Sequence, residues 1–136
     1  MKKIIIIFAL TFLSVISVQA QTQKYHVVAM KIGDIYQTGL SWNDWKKPKS
    51  SNTYLYIDKT HNKVIYKVDD ETIFTFYIKQ AITDNVQNNV RRVTWSATSD
   101  EDFSVEIWHF TRYNASASSF YIYYNTFAVC FGLNKS

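Results

Sequence analysis

From Thr53 to Lys79 apolar and polar positions alternate through two interruptions, Lys59-Thr60-His61-Asn62 and Asp69-Asp70-Glu71. A period of two places successive side chains on opposite faces of an extended chain, so strands are predicted at 53–58, 63–68 and 72–79. Closing both turns as tight hairpins sets Ile57 opposite Val64, Leu55 opposite Tyr66, Tyr66 opposite Phe74 and Val64 opposite Phe76. One face then collects Leu55, Ile57, Val64, Tyr66, Val68, Phe74, Phe76 and Ile78. The other carries Tyr54, Tyr56, Asp58, Lys63, Ile65, Lys67, Ile73, Thr75, Tyr77 and Lys79. That segregation survives two independent turns, as expected of a sheet with one face on a core. It also brings Asp58 opposite Lys63, a favourable cross-strand pair.

Further strands are predicted at 25–32, 90–98, 103–112 and 119–131, all rich in the β-branched and aromatic residues that suit a pleated surface. Joining 103–112 to 119–125 sets Trp108 against Tyr123 and Phe110 against Tyr121. The reverse face holds Phe103, Val105, Ile107 and His109 against Phe120, Ile122 and Tyr124. Both faces are therefore apolar or aromatic. The Trp108 face is expected to lie under the amino-terminal strand or a second sheet, with a ligand or subunit as the alternative cover. A four-residue loop at 99–102 aligns Trp95 with the Trp108 face, whereas a bulge there reverses it. Two connections exceed hairpin length. Residues 33–52 include a short strand near 35–40, and the polar residues 80–89 are expected to form a surface loop. Short turns require antiparallel neighbours. The chain reads as an all-β antiparallel meander of about seven to eight strands, forming a small barrel or a two-layer sandwich.

The amino terminus alters the boundaries of that domain. Lys2 and Lys3 precede a charge-free apolar run from Ile4 to Val18, and Val18-Gln19-Ala20 has the residues of a signal-peptidase site. The run falls short of the ~20 apolar residues that a spanning helix needs. Residues 1–20 are read as a cleaved secretory signal peptide and 21–136 as a single β domain, with no membrane anchor after cleavage. The expected location is the periplasm or the exterior.

Without the leader the charge falls to 13 basic against 11 acidic residues, a net +2, and only Lys46-Lys47-Pro48-Lys49 is dense in cations. That balance argues against a nucleic-acid partner. Of 136 residues 23 are aromatic, yet there are only 3 Gly and 1 Pro, so Asn, Asp, Ser and Lys must supply the turns. The single cysteine, Cys130, excludes an internal disulfide and lies on an apolar strand as a buried, inert thiol. Three glycines leave no room for a nucleophile elbow or a phosphate-cradling loop. His26, His61 and His109 share no metal-ligand spacing, and the acidic turns at 69–71 and 100–102 lack the glycine of a calcium loop. No cofactor, metal or catalytic residue is assigned, and the chain is read as no enzyme.

Trp42 and Trp45, beside Lys46, Lys47 and Lys49, form the densest candidate binding cluster. Indoles combine a large contact area with one hydrogen-bond donor, which suits a sugar, an aromatic ligand or a partner surface. The competing reading makes both rings a lid on the open end of the core, since Trp is highly buried on average. Tyr54, Tyr56 and Tyr77, with neighbouring lysines, offer a second surface, although Tyr/Lys packing is ordinary on solvated sheets. The functional expectation is an exported, non-catalytic binding domain for a protein or a glycan. A periplasmic inhibitor or immunity protein is one form of it. The alternative is a ligand-enclosing barrel for a small apolar molecule.

Overall fold

Among the described residues nine antiparallel strands follow in chain order: β1 Thr22–Tyr36, β2 Gly39–Trp42, β3 Thr53–Asp58, β4 Lys63–Val68, β5 Glu71–Gln87, β6 Val90–Ser99, β7 Ser104–Arg112, β8 Ala117–Tyr123 and β9 Phe127–Lys135. The computed structural model describes residues 22–36 and 39–136, so the expected leader at 1–20 lies outside the described residues. Each strand pairs with the next from β3 to β9, and β1 pairs with both β3 and β9. The sheet thereby closes on itself as an eight-stranded barrel, with β2 as an extra strand on the far part of β1. Closure removes the sheet edges that a sandwich would leave.

The first meander follows the alternation of its sequence. Leu55 pairs with Tyr66, Ile57 with Val64, Val64 with Phe76 and Tyr66 with Phe74, and Asp58 stands opposite Lys63. The second half departs from expectation in three places and takes the second of the two alignments open to Trp95. Trp108 pairs with Tyr121 and Phe110 with Ser119, so the β7–β8 register is displaced by two residues from the expected one while each residue keeps its face. The cause is a hairpin that closes at 117 instead of 119. Trp95 pairs with Ile107, and Thr94 with Trp108, so Trp95 points into the barrel and not to the Trp108 side. Residues 119–131 are two strands, β8 and β9, separated at 124–126. Residues 80–89 are not a loop: β5 continues to Gln87 and returns as β6 through Asn88-Asn89.

Beyond Tyr77 the β4-facing edge of β5 has no strand partner among the described residues. Bulges at Ile78/Gln80 and Ala81/Thr83 twist this edge. Its polar residues, including Lys79 and Asp84, further discourage pairing with another chain. That polarity hides the strand in the sequence.

Turns are built on left-handed Asx residues. Asp69 and Asp70 (φ 51° and 65°) close β4–β5, and Asn88 and Asn89 (φ 53° and 63°) close β5–β6. Two consecutive positive φ angles define the turn whose twist matches paired strands, and Asn and Asp tolerate that region better than other non-glycine residues. The chain can therefore form tight hairpins with so few glycines.

Inward positions fill the barrel. Phe76, Phe120, Phe131, Leu55, Ile57, Ile107, Ile122 and Leu133 are all fully buried. Stacked Tyr66 and Phe74 (4.6 Å) join Phe131 at 5.2 Å from Tyr66. Eight strands enclose a space that side chains of this size can occupy. Most of the aromatic excess is thus interior packing, and the rest lies on the outer wall.

Candidate functional site: an aromatic wall outside the barrel

Where the second half of β1 pairs with β9, the outward positions other than Lys31 are small. Ala29 stands opposite Gly132, Lys31 opposite Cys130, and Gly33 opposite Ala128. This leaves a shallow floor of backbone and methyl groups on the outside of the barrel. The chain leaving β2 is tied along that floor. Asn43 N–H donates to the Ile32 carbonyl at 2.9 Å, and Met30 and Lys46 exchange backbone hydrogen bonds of 2.8 and 2.7 Å. Trp42 and Trp45 are laid on it as a result. A Cβ at Gly33 would stand 2.8 Å from Cε3 of Trp42, and one at Gly132 would stand 3.8 Å from Cζ3 of Trp45. Between the indoles, Lys31 Nζ lies 4.9 Å from the Trp42 ring and 4.4 Å from the Trp45 ring. An ammonium so placed is attracted by both π-faces.

From Trp42 the rings continue across β8 and β7. Trp42 meets Tyr121 edge-on at 5.8 Å, and Tyr121 contacts Phe110 at 5.5 Å and stacks on Tyr123 at 6.0 Å. Trp108 closes the row, 5.6 Å from Tyr123 and 6.0 Å from Phe110. Its Nε1 donates to Glu106 Oε1 at 2.6 Å, and the Arg92 guanidinium from β6 lies 5.1 Å over its ring. Among the described residues Arg92 Nε is buried without a hydrogen-bond partner and no carboxylate pairs with the guanidinium. The row is half-buried along its length, and Trp45 at its end is 50% exposed.

Two expectations are corrected here. The indoles do not cap an open end of the barrel; they lie against its outer side, over Gly33 and Gly132 of β1 and β9. Among the described residues neither the amino-terminal strand nor a second sheet covers the Trp108 face. Barrel closure puts β1 in the wall itself, and Trp42 reaches over to Tyr121.

Burial dominates the chemistry of the wall. It pushes the Tyr121 phenol up to about 12, aided by the charge of, and a hydrogen bond to, the neighbouring Cys130. Burial also raises Tyr123, with contributions from Cys130 and Glu106. The Cys130 thiol is raised by burial, partly offset by the Tyr121 hydrogen bond and by Lys31. These three groups are neutral near pH 7, and a protonated buried thiol is a poor nucleophile.

Lys46, Lys47 and Lys49 follow the indoles and are exposed. Tyr54, Tyr56 and Tyr77 lie on a separate part of the outer wall, on β3 and β5, and no ring contact among the described residues joins them to the Trp42 row. Lys24 stands 4.2 Å over Tyr54 and 5.9 Å from Tyr56, and Lys67 lies 5.4 Å over Tyr56. Tyr77 is 47% exposed. Two members of the row, Lys31 and Arg92, do not stand out in the sequence. Their place depends on β1–β9 and β6–β7 pairing, although the Ala29/Lys31/Gly33 alternation is a visible sign of a small-residue floor. Among the described residues no group of three or more His, Cys, Asp or Glu side chains is placed to hold a metal ion.

Gly33→Ala is expected to push Trp42 off its seat, since the new methyl group would stand 2.8 Å from the indole. Overpacking of this kind costs about 1–3 kcal/mol. The urea midpoint should fall. In a variant whose only tryptophan is Trp42, adding Gly33→Ala should make iodide quench the fluorescence more strongly. No family model matches the chain, and neither the curated proteins nor the solved structures contain a match to it, so the wall is interpreted from its own geometry.

Proposed function

We propose that the protein is an exported, non-catalytic binding domain whose outer aromatic wall recognises a protein or a glycan. The observation that carries this reading is the continuous row from Trp45 through Lys31, Trp42, Tyr121 and Trp108 to Arg92. Trp, Tyr and Arg dominate the energetics of interfaces, Trp and Tyr because they bury much area with few torsions to freeze and Arg because its planar guanidinium stacks and donates several hydrogen bonds. Aromatic faces also suit the apolar faces of sugars. Neutral phenols and a protonated thiol support binding over catalysis at this wall. The exposed Lys46, Lys47 and Lys49 beside it favour an acidic partner surface, of the kind an inhibitor or immunity protein would meet.

Secretion into the periplasm or beyond rests on the leader at 1–20. The distribution of polarity supports an aqueous setting, since the interior is apolar while Asp58, Lys63 and Lys67 face outward on β3 and β4. A barrel built to face lipid has the opposite arrangement.

The test compares the mature protein with a Trp42→Ala/Trp45→Ala variant, both probed against a glycan array and against fractionated periplasmic proteins identified by mass spectrometry. A saturable partner should be retained by the wild type and lost at least about tenfold by the variant. The urea midpoint of the variant should fall much less than that of a core truncation, because Trp45 is 50% exposed and Trp42 lies outside the core. A variant that unfolds as readily as a core truncation shows that the rings serve stability, and the reading fails.

A further inference from the structure

The inward positions of the barrel change character toward the end formed by the β3–β4, β5–β6 and β7–β8 turns. Along the inward parity of successive strands, Ile57 gives way to Lys59, Val93 to Arg91, Leu133 to Lys135 and Tyr25 to Gln23. A recess of about 270 Å³ opens at this mouth. Its deeper lining includes Ile57, Val93, Trp95 and the buried His109, whose ring meets Tyr25 edge-on at 5.3 Å. Four cations, Lys59, Arg91, Arg112 and Lys135, line it, and no Asp or Glu is among its described lining residues.

Arg91 is held from outside by Asp84, with hydrogen bonds of 2.9 and 2.6 Å, which fixes the guanidinium and offsets part of its charge. Among the described residues the other three cations make no ion pair. At the opposite end of the barrel lie the acidic turns Asp69-Asp70-Glu71 and Asp100-Glu101-Asp102. That separation sets up a field along the barrel axis that draws an anion toward the basic mouth.

We propose that this mouth is a binding site for a small organic acid, its carboxylate among Lys59, Arg91, Arg112 and Lys135 and its apolar body against Trp95, Ile57 and Val93. The recess lies just under the ~300–1,000 Å³ typical of drug-sized ligands, so the ligand is small. A neutral apolar molecule would bury the cations without a counter-charge, which is costly. A bare inorganic anion would leave the Trp95 surface unused. The site is distinct from the Trp42/Trp45 end of the outer wall: Lys59, Arg91 and Lys135 come from inward or rim positions, and Arg112, at the end of β7, borders both the mouth and the Phe110/Tyr121 surface.

The test uses three probes of one shape and different charge: benzoate, benzamide and benzamidine, with inorganic phosphate as a fourth. Binding to the mature protein is followed by calorimetry and by tryptophan emission at low ionic strength. Benzoate should saturate with a Kd under about 1 mM. It should bind at least about tenfold more tightly than benzamide or phosphate, and benzamidine should not bind. Lys59→Gln with Lys135→Gln should weaken benzoate at least about tenfold, with no change in urea midpoint, since both side chains are exposed. The Trp42→Ala/Trp45→Ala variant should bind benzoate as the wild type does. The proposal is overturned if benzoate fails to saturate, if benzamide or phosphate binds as tightly, if the double glutamine variant binds unchanged, or if the tryptophan variant loses binding.

Discussion

Replacing Phe120 by alanine is expected to destabilise the barrel by about 3–5 kcal/mol, the largest effect of any single truncation considered. The ring is fully buried, lies 5.6 Å from His109 and 6.5 Å from Phe131, and belongs to a strand paired on both sides. Its removal forfeits the transfer free energy of the phenyl group and leaves a cavity that a closed barrel cannot collapse, since neighbouring strands are fixed by their hydrogen bonds. Urea unfolding should show a lower midpoint at an unchanged slope, because the surface exposed on unfolding is almost the same. Trp45→Ala removes a larger ring but one that is half exposed and outside the core, and its cost should stay within about 1 kcal/mol. The contrast separates interior aromatics from wall aromatics on a scale that composition alone does not provide. If Trp45→Ala were as damaging as Phe120→Ala, the wall would be part of the folding core.

The meander from Thr53 to Lys79 was legible because its registers are set locally. Each turn is short, one face is buried, and a slip of one residue would turn Leu55 and Ile57 to solvent. The β7–β8 pairing was less constrained. With Trp108 and Phe110 on one face and Ile107 and His109 on the other, a slip of two residues keeps every side chain on its face and still sets Trp108 opposite a tyrosine, so only the position of the turn decides. Residues 80–89 were hidden for a different reason: they are exposed on both faces, so no alternation marks them, and pairing with β6 alone makes them a strand. Barrel closure depends on β1 pairing with β9, about a hundred residues apart in the chain, and neither strand's pattern announces its partner. The candidate site divides along the same line. Trp42, Trp45 and the lysines were visible as a local cluster, whereas Lys31, Arg92 and the link through Tyr121 to Trp108 exist only once the barrel is closed.

Acid should unfold the protein earlier than its carboxylates alone would require. His109 faces Tyr25 across a ring contact, packs against Phe120 and has Nε2 3.1 Å from the Ser118 hydroxyl. Burial first, and then the charges of Lys59 and Arg91, lower its pKa from 6.5 to about 4. The native barrel therefore holds His109 neutral at a pH where the unfolded chain has taken up a proton. Between those two values the unfolded state binds more protons than the folded one, so stability rises with pH and is lost as pH falls from 6.5 toward 4. The loss amounts to on the order of 3 kcal/mol across that window. Asp84, held below the usual carboxylate range by hydrogen bonds from Arg91, acts later. So does Asp58, held down against desolvation by hydrogen bonds from His61. Both release their stabilisation only as pH falls through their lowered values, under 3.8. Urea midpoints measured from pH 7.5 to 4 should therefore decline with a slope approaching one proton, and His109→Phe should flatten that decline while leaving the acid limb below it. A wild-type stability that stays level down to pH 4 would mean that the imidazole is hydrated in solution, and that the mouth around it is wetter than the packing of Tyr25, Phe120 and Ser118 indicates.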